Sequence, residues 1–228
     1  MANRLSAVWG KSPQKLLANA SYLDMLLQEK LEIKSTLIAL NDEEIDKATE
    51  SVEKLFDKEY GGFGYEIKFP HESYLLLLLE KQLLAYSAKR QEIIDKTLIS
   101  MARGGIYDQI GGGFHRYATD RKWRVPHFEK MLYNQALLAK VYAQAYSLTS
   151  NSFYKNISQN TLNFVLKTLQ SPSGTFYSAM DADKDTQEGF YYLWNEKELI
   201  NLEDAKEIYH IDTTHELNGK NILYLSEN

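Results

Sequence analysis

Three times along the sequence, helical segments run into a loop that sets glycine beside an aromatic residue: "GGFG" from residue 61, "GGIYDQIGGGF" from 104 and "GTFY" from 174. Successive antiparallel helices alternate direction, so every second connection falls on the same side of the assembly. The three glycine loops are therefore expected to share one rim, and the chain reads as an array of α/α hairpins. The helices are legible one by one. "SPQKLLANASYLDMLLQEKLE" sets Leu16, Leu17, Tyr22, Leu23, Leu26 and Leu27 on a broad stripe behind a Ser-Pro start. "NDEEIDKATESVEKLFDKEYGG" opens with an Asn/Asp cap, carries acids in its first turn and stops at a glycine pair. "HESYLLLLLEKQLLAYSAK" is apolar nearly all round, which predicts burial. "QEIIDKTLISMARGG", "HFEKMLYNQALLAKVYAQAYSLTS" and "NSFYKNISQNTLNFVLKTLQ" complete the helical set. Beyond the third loop the period changes. "TFYSAMDAD" and "GFYYLW", separated by "KDTQE", alternate as a β-hairpin lying over the rim, and "NGKNILYL" reads as a turn and a strand.

Several function classes are excluded or disfavoured. A net charge of −5 lacks the basic excess of a nucleic-acid binder. With no cysteine there is no disulfide, thiolate nucleophile or sulfur-held metal within the chain. The amino-terminal stretch has no apolar run of signal-peptide length, and "YLLLLL" is too short to span a bilayer. A soluble, cytoplasmic protein without a membrane partner is expected.

The chemistry concentrates in "GGIYDQIGGGFHRYATDRKWRVPHFEKMLYN", residues 104–134. Gly111, Gly112 and Gly113 exceed what a helix cap requires and imply a backbone approached closely by another chain or a ligand. No strand precedes them and no phosphate-loop lysine follows, so they are not a nucleotide fingerprint. His115 and His127 stand among carboxylates that can poise an imidazole for proton transfer. Their spacing lacks the i, i+4 pair of helical zinc sites, and no metal or cofactor is expected. Pro126–His127 is expected to open a helix, with Glu129 and Lys130 in its first turn. Arg116, Arg121, Lys122, Arg124 and Lys130 form the one basic stretch of an acidic chain, which suits a pocket for an anionic group. "DADKDTQEG" lacks the glycine and terminal glutamate of a calcium loop. Its Asp181 and Asp183 fit acid/base work on a sugar better, and Phe63, Trp123, Tyr177, Tyr191 and Trp194 could offer flat surfaces to a sugar ring. The expected catalytic set is His115, His127, Asp108, Glu129, Asp181 and Asp183; the expected substrate-binding set is Arg116, Trp123, Arg124, Lys130, Tyr177 and Phe63.

In order, "GGFGYEIKFP", the 104–134 block, "GTFYSAMDADKDTQEGFYYLW" and "NGKNIL" resemble the family that contains spermatogenesis-associated protein twenty and its bacterial relatives. The resemblance implies a mainly α fold, a partial (α/α)6 toroid similar to N-acylglucosamine 2-epimerases and six-hairpin glycosidases, with residues 1–40 as a helical lead-in and 41–228 as the toroid domain. By fold-level analogy it also implies a sugar-like, small-molecule ligand. This chain departs from the family in lacking the thioredoxin-like domain, in carrying about three helical hairpins, and in having Asn134–Gln135 where Asp-Asn is usual. An open arc of helices leaves apolar faces uncovered, which implies a homodimer, a compact bundle or a complementing second half of the ring. The alternative to an enzyme is a non-catalytic binding or interaction module, the remnant of a longer thioredoxin-domain protein.

Overall fold

The computed structural model describes residues 2–31, 41–184, 187–200, 208–210 and 219–225. They divide into two compact units, Met1–Asp42 and Glu43–Asn228. The first holds α1 (Ala2–Lys11) and α2 (Pro13–Leu31), with Pro13 at the first helical position where its missing N–H has no cost. No described residue of α2 is buried, and Leu17, Tyr22, Leu23 and Leu27 of its expected stripe are exposed.

The second unit carries α3 (Asp42–Lys54), α4 (Glu72–Leu84), α5 (Ala88–Arg103), α6 (Leu132–Thr149) and α7 (Ser152–Phe164), the last running into a π turn at Val165–Leu169. Ser87 and Asn151 accept backbone N–H groups at the starts of α5 and α7. Leu75, Leu78 and Leu79 of α4 meet Ile94, Leu98 and Met101 of α5 and Leu138, Val141 and Tyr142 of α6 in one core. The apolar helix α4 is buried through its middle, whereas Leu83 and Leu84 at its carboxyl end are exposed.

The loops do converge. Lys68 of the first glycine loop bridges Ala118 of the second, and Lys130 of the second pairs with Met180 of the third. These pairings build short antiparallel ladders. β1 (Tyr117–Ala118) pairs with β2 (Pro126–His127), and β3 (Lys130–Met131) with β4 (Ala179–Met180). β5 (Asp183–Lys184) pairs with β6 (Gln187–Glu188), and β7 (Leu193–Asn195) with β9 (Lys220–Ile222). β8 (Tyr209–His210) pairs with β10 (Tyr224–Leu225).

The expected hairpin around "KDTQE" is present but short: Asp183 pairs with Glu188, and the Gly189 N–H donates to the Ala182 carbonyl. Beyond it "TFYSAMDAD" pairs back onto β3 and "GFYYLW" onto "NGKNIL", where Ile222 joins Phe128 and Ala182 in a small core. One expectation is corrected. Pro126–His127 does not open a helix. The Glu129 carbonyl accepts from the Arg116 N–H, and the Leu132 N–H donates to Ser178, so the chain stays extended until α6 begins at Leu132. Asp185 and Thr186 of the acidic segment lie outside the described residues.

Candidate functional site

Because residues 126–131 are extended, successive side chains point to opposite faces. Phe128 and Lys130 are buried; His127 and Glu129 are half-exposed. One short stretch thus feeds two environments, an inner one behind the strand and an outer one in front of it.

On the inner side, the Lys130 ammonium donates to Asp108 Oδ2 at 2.7 Å and to the Gly112 carbonyl at 2.9 Å. It also lies over the rings of Phe164 and Tyr192, at 4.3 and 4.8 Å. The other Asp108 oxygen accepts the Ile110 and Gly111 N–H groups at 3.0 and 2.8 Å. Burial works against the Asp108 charge, but Lys130 and the backbone donor outweigh it and hold the carboxyl below its usual range. For Lys130 burial prevails over the attraction of Asp108, and its pKa is lowered. His115 Nδ1 lies 3.0 Å from the Phe128 carbonyl, which can only accept. The proton therefore sits on Nδ1, and Nε2 keeps the lone pair. Burial, reinforced by the nearby Lys130 charge, pushes this imidazole down to about 3, so it is neutral at physiological pH. His115 and Asp108 border a cavity of about 180 Å³ together with Tyr107, Tyr192 and Trp194. The Tyr192 hydroxyl is buried there without a hydrogen-bond partner among the described residues. The cavity is smaller than the ~300–1,000 Å³ usual for ligand clefts and has room for no more than a single ring.

On the outer side, His127 stacks on Tyr117 (5.1 Å, interplanar angle 5°), and Tyr117 stacks on Phe69 (4.8 Å, 25°). The row turns the corner to His71, which stacks on Tyr74 at 4.8 Å. Phe69 is 40% exposed, unusual for a phenylalanine flanked by packed rings. His127 Nε2 lies 3.9 Å from Glu188 Oε1, an ion-pair separation when the imidazole is protonated. Glu129 holds Arg116 at 3.0 Å. Since Lys130 pairs with Met180, Asp181 lies one residue past that pair, on the strand beside Glu129. The outer face therefore combines a flat aromatic row, an imidazole, an arginine–carboxylate pair and further exposed acids.

No family model matches the sequence. Spermatogenesis-associated protein 20 of Homo sapiens is 37% identical over 217 residues, covering 87% of this chain and 27% of the human protein. The Mus musculus protein gives the same figures. The chain is homologous to part of spermatogenesis-associated protein 20. It spans about a quarter of those relatives' length. Among solved structures, a sugar epimerase from a ruminal bacterium superposes with a TM-score of 0.54 at 15% identity, covering 66% of this chain and 44% of the epimerase. Cellobiose 2-epimerase from Spirochaeta thermophila gives 0.51 at 13%, covering 61% and 41%. A family 76 glycoside hydrolase from a bovine Bacteroides thetaiotaomicron strain gives 0.51 at 16%, covering 64% and 33%. The fold is that of the α/α-toroid enzymes, present here in part.

The expected site residues divide among these environments. His115, Asp108 and Lys130 share the inner network. His127, Glu129 and Arg116 share the outer face, with Asp181 and Asp183 exposed on the adjoining strands. Trp123 and Phe63, expected as sugar platforms, are instead core: they are 0% and 2% exposed, and the Trp123 indole donates to the Tyr60 carbonyl. Arg124 belongs to neither environment; its guanidinium lies over Tyr224. Tyr177 is exposed on the approach to β4. The glycine triplet is approached closely, but by the chain itself: at φ +77°, a β-carbon on Gly113 would stand 2.6 Å from the Phe164 ring. Gln135, the departure from the family pattern, clamps the same loop by accepting the Phe114 N–H and donating to its carbonyl. Asn134 donates to buried Glu72.

Sequence reading passed over Asp57 and Lys68. Asp57 accepts from Lys68 at 2.8 Å and takes two parallel bonds from Arg121 at 2.7 and 2.8 Å, and this buried knot fixes the first loop to the second. Two charges bracketing "GGFG" were the available signal. It also passed over Phe69 and Tyr117, whose place in the aromatic row depends on the β1–β2 register.

Proposed function

We propose that the outer face is a carbohydrate site, with a sugar ring lying against the Phe69–Tyr117–His127 row and His127 serving as its proton-transfer group. The observation that carries this reading is the partly exposed stack ending in an imidazole, beside the Arg116–Glu129 pair, in a fold shared with sugar epimerases. Stacked rings suit the apolar face of a pyranose, and carboxylates and arginine suit its hydroxyls. Imidazole chemistry favours proton transfer at a carbon next to the sugar carbonyl, an epimerase or isomerase reaction, over glycoside hydrolysis, which calls for a spaced carboxylate pair. His115 is a poor base for this step because burial pushes its pKa down to about 3, so it holds an abstracted proton only weakly, and its ring is tied to Phe128. In this reading it orders the loop behind the site.

The alternative is a non-catalytic sugar-binding module. It is favoured by the internal engagement of His115, Asp108 and Lys130. We take the partner to be the helices that complete the ring, from a second copy or a longer chain, and the compartment to be the cytoplasm; light scattering of the purified chain tests the former. Among the described residues no helix is long and apolar enough to cross a membrane.

The decisive experiment is NMR of aldoses and amino sugars incubated with the protein in deuterium oxide. Deuterium entering the carbon beside the carbonyl, lost in His127→Ala, supports the enzyme. Binding without exchange supports the module. Neither binding nor exchange removes the carbohydrate reading.

A further inference from the structure

Of the five cations between residues 116 and 130, three are neutralised where they stand. Arg116 is held by Glu129, Lys130 by Asp108, and Arg121 by Asp57 and Glu59. Lys122 and Arg124 differ. Among the described residues neither makes an ion pair with a carboxylate; each lies over a ring instead, Lys122 at 5.4 Å from Tyr60 and Arg124 at 5.3 Å from Tyr224. An aromatic face orients a cation without cancelling its charge, so both groups are positioned yet electrostatically available. They border one cavity of about 500 Å³, together with Arg103, His210 and the Ser100 side chain. Glu59 is the single carboxylate among its described lining residues, and it already holds Arg121 at 3.0 Å.

We infer that this cavity binds the phosphoryl group of a phosphorylated small molecule. Two cations held over rings, Lys122 and Arg124, face one carboxylate that Arg121 already engages, which leaves an excess suited to a phosphomonoester carrying about −1.5 to −2 charges at neutral pH. Arg124 can present paired N–H groups to phosphate oxygens. The volume lies within the ~300–1,000 Å³ usual for small-ligand clefts, so an organic moiety fits with the phosphate. This pocket shares no residue with the His127 face. The anion site that the basic stretch suggests thus lies apart from the two histidines, built on Lys122 and Arg124, which make no ion pair among the described residues.

Calorimetric titration of the purified chain with inorganic phosphate, with a hexose monophosphate and with the unphosphorylated hexose tests the inference. Inorganic phosphate and the hexose monophosphate bind, more weakly as salt rises, and Lys122→Gln and Arg124→Gln each lower their affinity by about tenfold. Lys155→Gln, which removes a cation held over a lone ring (Tyr146) away from the cluster, leaves it unchanged. His127→Ala also leaves it unchanged, so failure of the carbohydrate reading is distinguishable from failure of this one. The exposed Lys122 variant retains the fold, which keeps the test valid if Arg124→Gln perturbs the loop. Wild-type phosphate affinity in the Lys122 variant, or no phosphate binding by the unaltered chain at millimolar concentration, overturns the inference.

Discussion

Replacing Asp108 by asparagine tests the inner network most sharply, because its two partners are buried unequally. The Lys130 side chain is 1% exposed and that of Asp108 13%. At an effective dielectric of ~20, unit charges 2.7 Å apart attract by about 6 kcal/mol, and desolvation of both ions offsets much of that. The net loss on breaking a buried pair is about 3–5 kcal/mol when an uncompensated ion is left behind. Asp108→Asn leaves such an ion: Lys130 keeps the Gly112 carbonyl and two ring faces as partners. Lys130→Met leaves Asp108 at the cavity with its Ile110 and Gly111 donors, so the expected cost is smaller, about 1–2 kcal/mol. The pH dependence separates this account from mere loss of packing. In Asp108→Asn the folded-state pKa of Lys130, already lowered by burial, falls further below its unfolded value. Over the interval between them the unfolded chain holds a proton that the folded chain has released, so stability rises with pH. Denaturant unfolding from about pH 7 to about pH 10 should show the Asp108→Asn deficit shrinking as pH rises. A deficit independent of pH, or a Lys130→Met cost equal to or larger than that of Asp108→Asn, refutes the reasoning.

Other expectations follow from the same contacts. Since burial pushes His115 down to about 3 while its unfolded value is ~6.5, acidification below that value should destabilise the fold by about 1.4 kcal/mol per pH unit until the folded imidazole itself titrates. His115→Gln should flatten that slope in urea titrations, and an unchanged slope would place its origin elsewhere. Gly113→Ala, at φ +77° and against the Phe164 ring, should cost about 3 kcal/mol in chemical denaturation; a neutral effect would mean that the loop is not held there. His127→Ala should abolish sugar-dependent signals with a melting temperature close to wild type, because its half-exposed ring stacks on the half-buried Tyr117; a large stability loss would recast it as structural.

How far sequence reached depended on how local each signal was. Helices α3, α4, α5 and α7 were legible because the acid-bearing start of α3, the leucine run of α4, the glycine stop of α5 and the asparagine cap of α7 each lie within or beside the segment they define. Convergence of the glycine loops followed from helix alternation alone, and the Lys68–Ala118 and Lys130–Met180 pairings bear it out. The stretch Pro126–Met131 defeated local reading. Glu129, Lys130 and Met131 are good helix formers behind a proline, and what holds them extended is a partner strand some fifty residues later, Ala179–Met180. That one error assigned His127 and Lys130 to the same helical turn, whereas the pleat sends them to opposite sides. Aromatic residues were ambiguous for a similar reason. Trp123 and Tyr117 look alike as ring-bearing loop residues, and the third dimension alone makes one core and the other a half-exposed platform.

The central claim is that the strand sorts the two histidines, His127 toward ligand and His115 away from it. Carbon–proton NMR spectra of the histidine rings during titration with aldoses and amino sugars test it directly. The account predicts that the His127 ring resonances move with added sugar while those of His115 stay fixed. Movement of His115 with His127 unaffected would contradict it.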